Sequence, residues 1–159
     1  MKVLKYCFDR IEIFVSQVLF CTMSVAVAFQ LVSRFTGLGF FWTEEVARYS
    51  YIWIVFLCIS LGEKMRAHFT VTAFTMFLKG RAEAILELFV DIICLSLYLY
   101  LFYWSLHYLP FSHVIQSPAM RLPLTIITAS LTVGFSLCFI RRLTHTVKRV
   151  REIIKGEYK

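Results

Sequence analysis

The segment W-T-E-E-V-A-R-Y-S-Y-I-W-I-V-F-L-C-I-S-L-G-E-K-M-R-A-H, Trp42 to His68, decides the fold. It is a long apolar run with two acids and an arginine set into its start. From Glu44 to Gly62 is nineteen residues, roughly 28 Å of helix and enough to cross a hydrocarbon core. Thr43 is placed to cap this helix, and Glu44 and Glu45 follow where the helix dipole favours negative charge. Arg48 stands four residues after Glu44, the favourable order for an ion pair along one helix face. Trp53 falls near mid-span. A charged pair at the lip of a membrane helix is costly unless a partner faces it.

Composition generalises this reading. Of 159 residues, 59% are hydrophobic and only 17% charged, and the mean hydropathy is +0.71. A soluble domain of this length carries more charge. Apolar residues gathered into blocks of about twenty make this an integral membrane protein. The net charge of +7 comes from basic residues flanking those blocks, where they meet anionic lipid and set topology. No nucleic-acid partner is expected; the bilayer is the expected environment. Cys7, Cys21, Cys58, Cys94 and Cys138 are scattered without a C-x-x-C pair, so they predict packing or lipid-facing residues and neither zinc nor redox chemistry.

The pattern predicts an all-α membrane protein with four spans forming a single domain over residues 1–159. The first span covers about 11–33. Met1 to Arg10 resembles the basic start of a signal peptide and Ala26-Val27-Ala28 a cleavage site, but the apolar stretch is too long for one and a retained helix is expected. Gly37 and Gly39 mark a turn. The second span covers about 44–62. A shorter run, about 68–79, places His68, Thr72, Thr75 and Lys79 on one side and Phe69, Ala73, Met76 and Phe77 on the other. It predicts an amphipathic interfacial helix. The third span, about 84–107, carries Glu83, Glu87 and Asp91 on one face near its start. Its other end is rich in aromatics, as an interfacial belt is. The Leu109–Arg121 loop holds Pro110 and Pro118. The fourth span, about 122–140, opens with Pro123 in its first turn and carries a small-residue stripe, Ser130, Gly134 and Cys138, suited to close helix packing. A basic cytoplasmic tail, 141–159, follows.

Fourteen of the seventeen Lys and Arg residues fall in the N-terminus, the second loop and the tail. Arg34, Arg48 and Arg121 lie on the other side. The positive-inside rule then puts both termini in the cytoplasm and Glu44, Glu45 and Arg48 at the outer face.

Enzymatic signatures are missing. There is no phosphate-binding G-x-x-x-x-G-K-[ST] loop, no G-x-S-x-G elbow and no H-E-x-x-H. The four histidines, His68, His107, His113 and His145, avoid mid-span, where a haem-binding bundle would place axial ligands. No catalytic residue, cofactor or metal site is expected. The first span is expected to carry no deep carboxylate, its polar residues being Ser16, Gln17, Thr22, Ser24 and Gln30. Asp91 is the deepest acid expected. It suits either a proton relay or, more simply, a partner for basic residues of the loop and tail.

These residues carry a family resemblance. W-T-E-E-V-A-R-Y, with Trp53 five positions beyond Arg48, resembles the signature of the small (Q-type) membrane subunit of tripartite ATP-independent periplasmic (TRAP) transporters. So do H-F-T-V at His68–Val71, Ser117-Pro118, and Leu122-Pro123 before the last span. Thr72, where the family often has an acid, and Cys58, where it often has a glycine, depart from the pattern. The resemblance implies an inner-membrane accessory scaffold of a sodium-gradient-driven importer of organic acids such as dicarboxylates, keto acids or sialic acids. The implied partners are a large multi-helix membrane subunit, which carries the substrate and sodium sites, and a periplasmic substrate-binding protein. Trp42, Glu44, Glu45, Arg48, Trp53 and His68 then become candidate interface or helix-lip residues, and Ser130 and Gly134 candidate packing residues. Two alternatives remain: a self-sufficient oligomeric four-helix transporter that depends on Asp91, and a haem-carrying membrane anchor.

Overall fold

The computed structural model describes residues 2–37, 39–66 and 81–155. Four helices account for most of them: α1 (Lys2–Thr36), α2 (Phe41–Arg66), α3 (Arg81–Ser112) and α4 (Thr125–Lys155). Each contains a stretch long and apolar enough to cross a membrane, namely Asp9–Thr36, Phe41–Lys64, Ile85–Ser112 and Thr125–Arg151. The all-α, four-span architecture expected from the sequence is therefore present. The interfacial helix expected over 68–79, His68 within it, and the last residues of the tail, 156–159, lie outside the described residues.

Helix ends follow local chemistry. Gly37 takes a left-handed φ of 72°, the conformation that closes a helix and that glycine adopts without a Cβ penalty. The Ser33 hydroxyl then accepts from the Phe40 amide at 3.2 Å, tying the turn back to α1. Thr43 is not the N-cap: α2 starts at Phe41, and the fully buried Thr43 hydroxyl donates to the Phe40 carbonyl at 2.7 Å. Pro110 does not end α3, which continues to Ser112. The proline forgoes only its own backbone bond to the residue four before it, and the Ser112 hydroxyl donates to the Leu109 carbonyl at 2.7 Å.

Pro123 is likewise not in the first turn of α4. It pairs with Gln116 in an isolated antiparallel bridge, because Ile115–Leu124 forms a small hairpin. The Ser117 amide donates to the Leu122 carbonyl and the Leu124 amide to the Ile115 carbonyl, both at 2.9 Å. The expected boundary between span and tail at 140–141 is not a structural one, since α4 runs unbroken to Lys155.

Packing joins α1 to α2, α2 to α4 and α4 to α3, so the helices stand in a row with α2 and α4 at its centre. Burial agrees: within an apolar 18-residue stretch of each span, 28% of residues are buried in α2 and 33% in α4, against 11% in α1 and 6% in α3. At the centre α4 presents Ser130, Gly134 and Cys138, all buried. A Cβ on Gly134 would lie 2.7 Å from the Phe56 Cβ and 3.2 Å from its carbonyl oxygen. The two backbones meet where only glycine fits. Phe56 and Phe135 close this contact edge-on at 5.4 Å. Between α3 and α4, the hydroxyls of Ser105 and Thr132 meet at 2.6 Å.

Among the described residues the buried apolar side chains are Ala26, Leu57 and Cys138, whereas sixteen polar or charged ones are buried, and Phe14, Phe29, Tyr103, Trp104 and many other large apolar groups point outward. Water would reverse that distribution. In a bilayer it is the favourable one, because lipid solvates the apolar exterior and polar groups must find partners inside.

Candidate functional site

Polar chemistry is concentrated at two ends of the helix row. At one end α1 starts, α2 finishes, α3 starts and α4 continues past its apolar span. Arg141 and Arg142 are adjacent on α4, so their side chains leave the helix about 100° apart and serve different neighbours. Arg141 turns to α1 and α2. Its Nη2 lies 2.7 Å from Asp9 Oδ1, its Nη1 donates to Glu12 Oε1 at 3.2 Å and to Ser60 Oγ at 2.5 Å, and Nη2 also engages the second Glu12 oxygen. Lys64 Nζ takes the other Asp9 oxygen at 2.6 Å.

Arg142 turns to α2 and α3. Its Nε is 2.6 Å from Glu63 Oε1 and its Nη1 is 3.0 Å from Asp91 Oδ1. The Tyr98 hydroxyl donates to Glu63 Oε2 at 2.9 Å. Two turns on, Arg149 reaches Glu87 Oε2 at 3.1 Å and the second oxygen of Asp91. Five carboxylates from three helices thus meet four cations, three of them from α4. Asp9, Glu12, Glu63, Asp91, Arg141 and Arg142 are all buried, so each is tolerated only because its partners are in place.

This cluster corrects the reading of the first helix as free of buried acids: Glu12 is 4% exposed and Asp9 6%. Their spacing at i, i+3, just where the apolar run begins, is the signal that hydropathy alone discounts. Asp91 has guanidinium groups on both oxygens, the arrangement of a structural ion. A relay group must be able to exchange its proton with a pathway.

At the other end, two adjacent acids behave differently. Glu44 pairs with Arg48 at 2.6 Å along one helix face, and both side chains are more than half exposed. Glu45, 6% exposed, turns the opposite way onto the Ile115–Leu124 hairpin. Its Oε2 accepts from the Ser117 hydroxyl at 2.7 Å and the Met120 amide at 2.8 Å, and its Oε1 accepts from the Ala119 amide at 2.8 Å. One carboxylate therefore organises the hairpin tip, as charge-assisted bonds to backbone amides do well. The neighbouring Glu44 carries none of that.

Trp42 is 48% exposed and meets Phe40 edge-on at 6.5 Å; Trp53 is half-buried on α2. Tyr103 and His107 stack at 6.5 Å on the exposed face of α3, with Trp104 edge-on to both. An open cleft of about 550 Å³ lies between α1 and α2, lined by Val27, Leu31, Arg34, Phe41 and Glu44 among others. Among the described residues, no group of three or more His, Cys, Asp or Glu is arranged to hold a metal ion.

Residues 23–152 match the family model described as "Tripartite ATP-independent periplasmic transporters, DctQ component". The chain is also 30% identical, over 134 residues and 79% of its length, to the isethionate TRAP transporter permease protein DctMQ of Oleidesulfovibrio alaskensis. The match occupies 21% of that protein, so the chain spans about a fifth of the relative's length.

Proposed function

Because the chain belongs to the DctQ component family of tripartite ATP-independent periplasmic transporters, we propose that it is the static scaffold on which a large membrane subunit is held. It is a multi-pass inner-membrane transporter subunit rather than an enzyme. In the proposed assembly the large subunit carries the substrate and sodium sites, and a soluble periplasmic protein delivers the substrate. The substrate class is small organic acids; the isethionate in the relative's name is an organic sulfonate. Both termini face the cytoplasm, so the Arg141 cluster lies at the inner side and the Glu45 hairpin at the outer side.

One observation carries this reading. The buried charges are ion-paired across all four helices, which favours a single rigid body over a moving carrier with an ion site. The apolar flanks of α1 and α3 then supply surface for the bilayer and the large subunit. The single-chain DctMQ relative, with this domain in about a fifth of its length, supports a large partner.

The test is extraction of the tagged chain from its native membrane in gentle detergent, followed by mass spectrometry. The expected result is recovery, at near-equal stoichiometry, of one large multi-helix membrane protein. Recovery of the chain alone or only with itself would overturn the scaffold reading, and transport by the purified chain in liposomes would replace it.

A further inference from the structure

The cleft between α1 and α2 has a charged end and an apolar end. Arg34, in the last turn of α1, and Glu44, in the first turn of α2, both line it, with the half-buried Gln30 near them. Val27 and Leu31 make its deeper wall. From Glu12 to Arg34 is about 33 Å of helix, close to the thickness of a hydrocarbon core. With the buried charge cluster at one membrane surface, Arg34 and Glu44 therefore stand at the other, at headgroup depth. Val27 lies about 10 Å deeper, among the acyl chains.

The two opposite charges share this cleft without pairing with each other. Among the described residues Arg34 has no ion-pair partner, and Arg48 holds only the Oε1 oxygen of Glu44, leaving Oε2 open. At the far end of α1, Arg141 and Lys64 tie that helix to its neighbours through Asp9 and Glu12. At this end no ion pair among the described residues joins α1 to α2.

Such a cleft selects an occupant that is dipolar and short in reach. A helix of another subunit would bear on α1 and α2 along much of their length. The walls here cover about two turns of α1 and one of α2, and the Gly39–Phe40 turn lines the outer end. A phospholipid matches both ends: its phosphate meets the Arg34 guanidinium, and an acyl chain runs down Val27 and Leu31. The rest of the headgroup meets Glu44. An anionic headgroup would set negative charge against that carboxylate, and a choline headgroup has no N–H to donate to it. An ethanolamine headgroup supplies both the positive charge and the donors.

We infer that the α1–α2 cleft holds one phosphatidylethanolamine molecule as a structural lipid, which bridges Arg34 to Glu44 and closes the end of the helix pair that protein ion pairs leave open. The site is complete within this chain and is therefore independent of the scaffold reading.

The test is native mass spectrometry of the full chain in detergent, with phosphatidylethanolamine, phosphatidylcholine and phosphatidylglycerol of identical acyl chains added in turn. The expected result is one phosphatidylethanolamine retained per chain, about tenfold more tightly than either of the others, as one charged hydrogen bond supplies. Arg34→Ala is expected to weaken retention of phosphatidylethanolamine by a similar factor. Glu44→Gln is expected to remove its preference over phosphatidylcholine and to improve binding of phosphatidylglycerol. Leu31→Trp fills the apolar wall and is expected to displace the lipid with helical circular dichroism unchanged. Equal retention of the three headgroups by the wild type, or a preference for phosphatidylglycerol, overturns the inference. Retention unchanged in both Arg34→Ala and Leu31→Trp places the lipid elsewhere and also overturns it. In native membranes a photo-reactive side chain in place of Leu31 is expected to crosslink to lipid. Crosslinking to a large membrane protein instead would give the cleft to that partner, overturning this inference while supporting the scaffold reading.

Discussion

Arg142 of α4 donates to Asp91 of α3 at 3.0 Å while its Nε lies 2.6 Å from Glu63 of α2, so one guanidinium closes the gap between helices whose backbones barely touch. The arrangement makes α4 the hub of the row. Hairpin α1–α2 brings Asp9, Glu12 and Glu63 with Lys64, an excess of acid, and hairpin α3–α4 brings Arg141, Arg142 and Arg149 against Glu87 and Asp91, an excess of base. Each half carries charge of the sign that the other offsets in part.

Removing one member of that cluster should therefore cost more than its own bonds. Arg142→Ala strands Glu63 and part of Asp91 in a buried setting, a loss of about 3–5 kcal/mol. Asp91→Asn is expected to cost less, about 1–3 kcal/mol, because Arg142 keeps Glu63 and Arg149 keeps Glu87. Denaturation of the two variants in mixed micelles orders them. A variant ranking with Asp91→Asn as the more damaging change would mean that α4 is not the hub.

Glu45 offers a second, more local test. All three of its bonds are accepted ones, and an amide can supply only one acceptor oxygen. In Glu45→Gln the oxygen can hold Ser117 and Met120, but the amide nitrogen then faces the Ala119 N–H donor to donor. The expected loss is about 1–3 kcal/mol, confined to the hairpin. Hydrogen exchange should show Ala119 and Met120 amides exchanging faster while α2 and α4 stay protected. Equal loosening throughout would show that Glu45 supports the whole row rather than the tip.

The four spans were legible because twenty-residue apolar blocks leave few alternatives in lipid, and Gly37 marked a helix end by the backbone angle it supplies. The inner polar chemistry was much less legible. Asp9 and Glu12 sit at the edge of an apolar block, where hydropathy averages them away, and their partner Arg141 lies 132 and 129 residues distant, in what resembled an ordinary basic tail. Glu44 and Glu45 illustrate the same limit. Two identical side chains, one position apart, differ by about 100° around the helix, so one meets water and Arg48 while the other is buried against a hairpin. Sequence places both at the lip of the span, and only the packing of the loop after α3 separates them.

Arg48 is expected to matter little for stability. An exposed i, i+4 pair contributes a few tenths of a kcal/mol, and both partners here are open to solvent. Arg48→Ala should leave the unfolding free energy within about 0.5 kcal/mol of wild type and should still co-purify with the large subunit. Loss of co-purification in a variant that melts normally would instead make Arg48 an inter-subunit contact, with Glu44 as its positioning partner.

Gly134 should be the least replaceable residue at the centre of the row. An alanine methyl there would stand 2.7 Å from the Phe56 Cβ and 3.2 Å from the Phe56 carbonyl, and neither atom can move without moving the α2 backbone. Gly134→Ala is expected to destabilise by about 1–3 kcal/mol, the usual cost of overpacking, despite the gain in helix propensity that alanine brings elsewhere. The colliding atom is a Cβ, so trimming the ring cannot relieve it: Phe56→Ala should fail to rescue Gly134→Ala, and should add its own loss through the contact with Phe135. Micelle denaturation of the two single variants and the double variant checks this. Recovery of stability in the double variant would show that the ring, rather than the backbone approach of α2 and α4, is what requires glycine at 134.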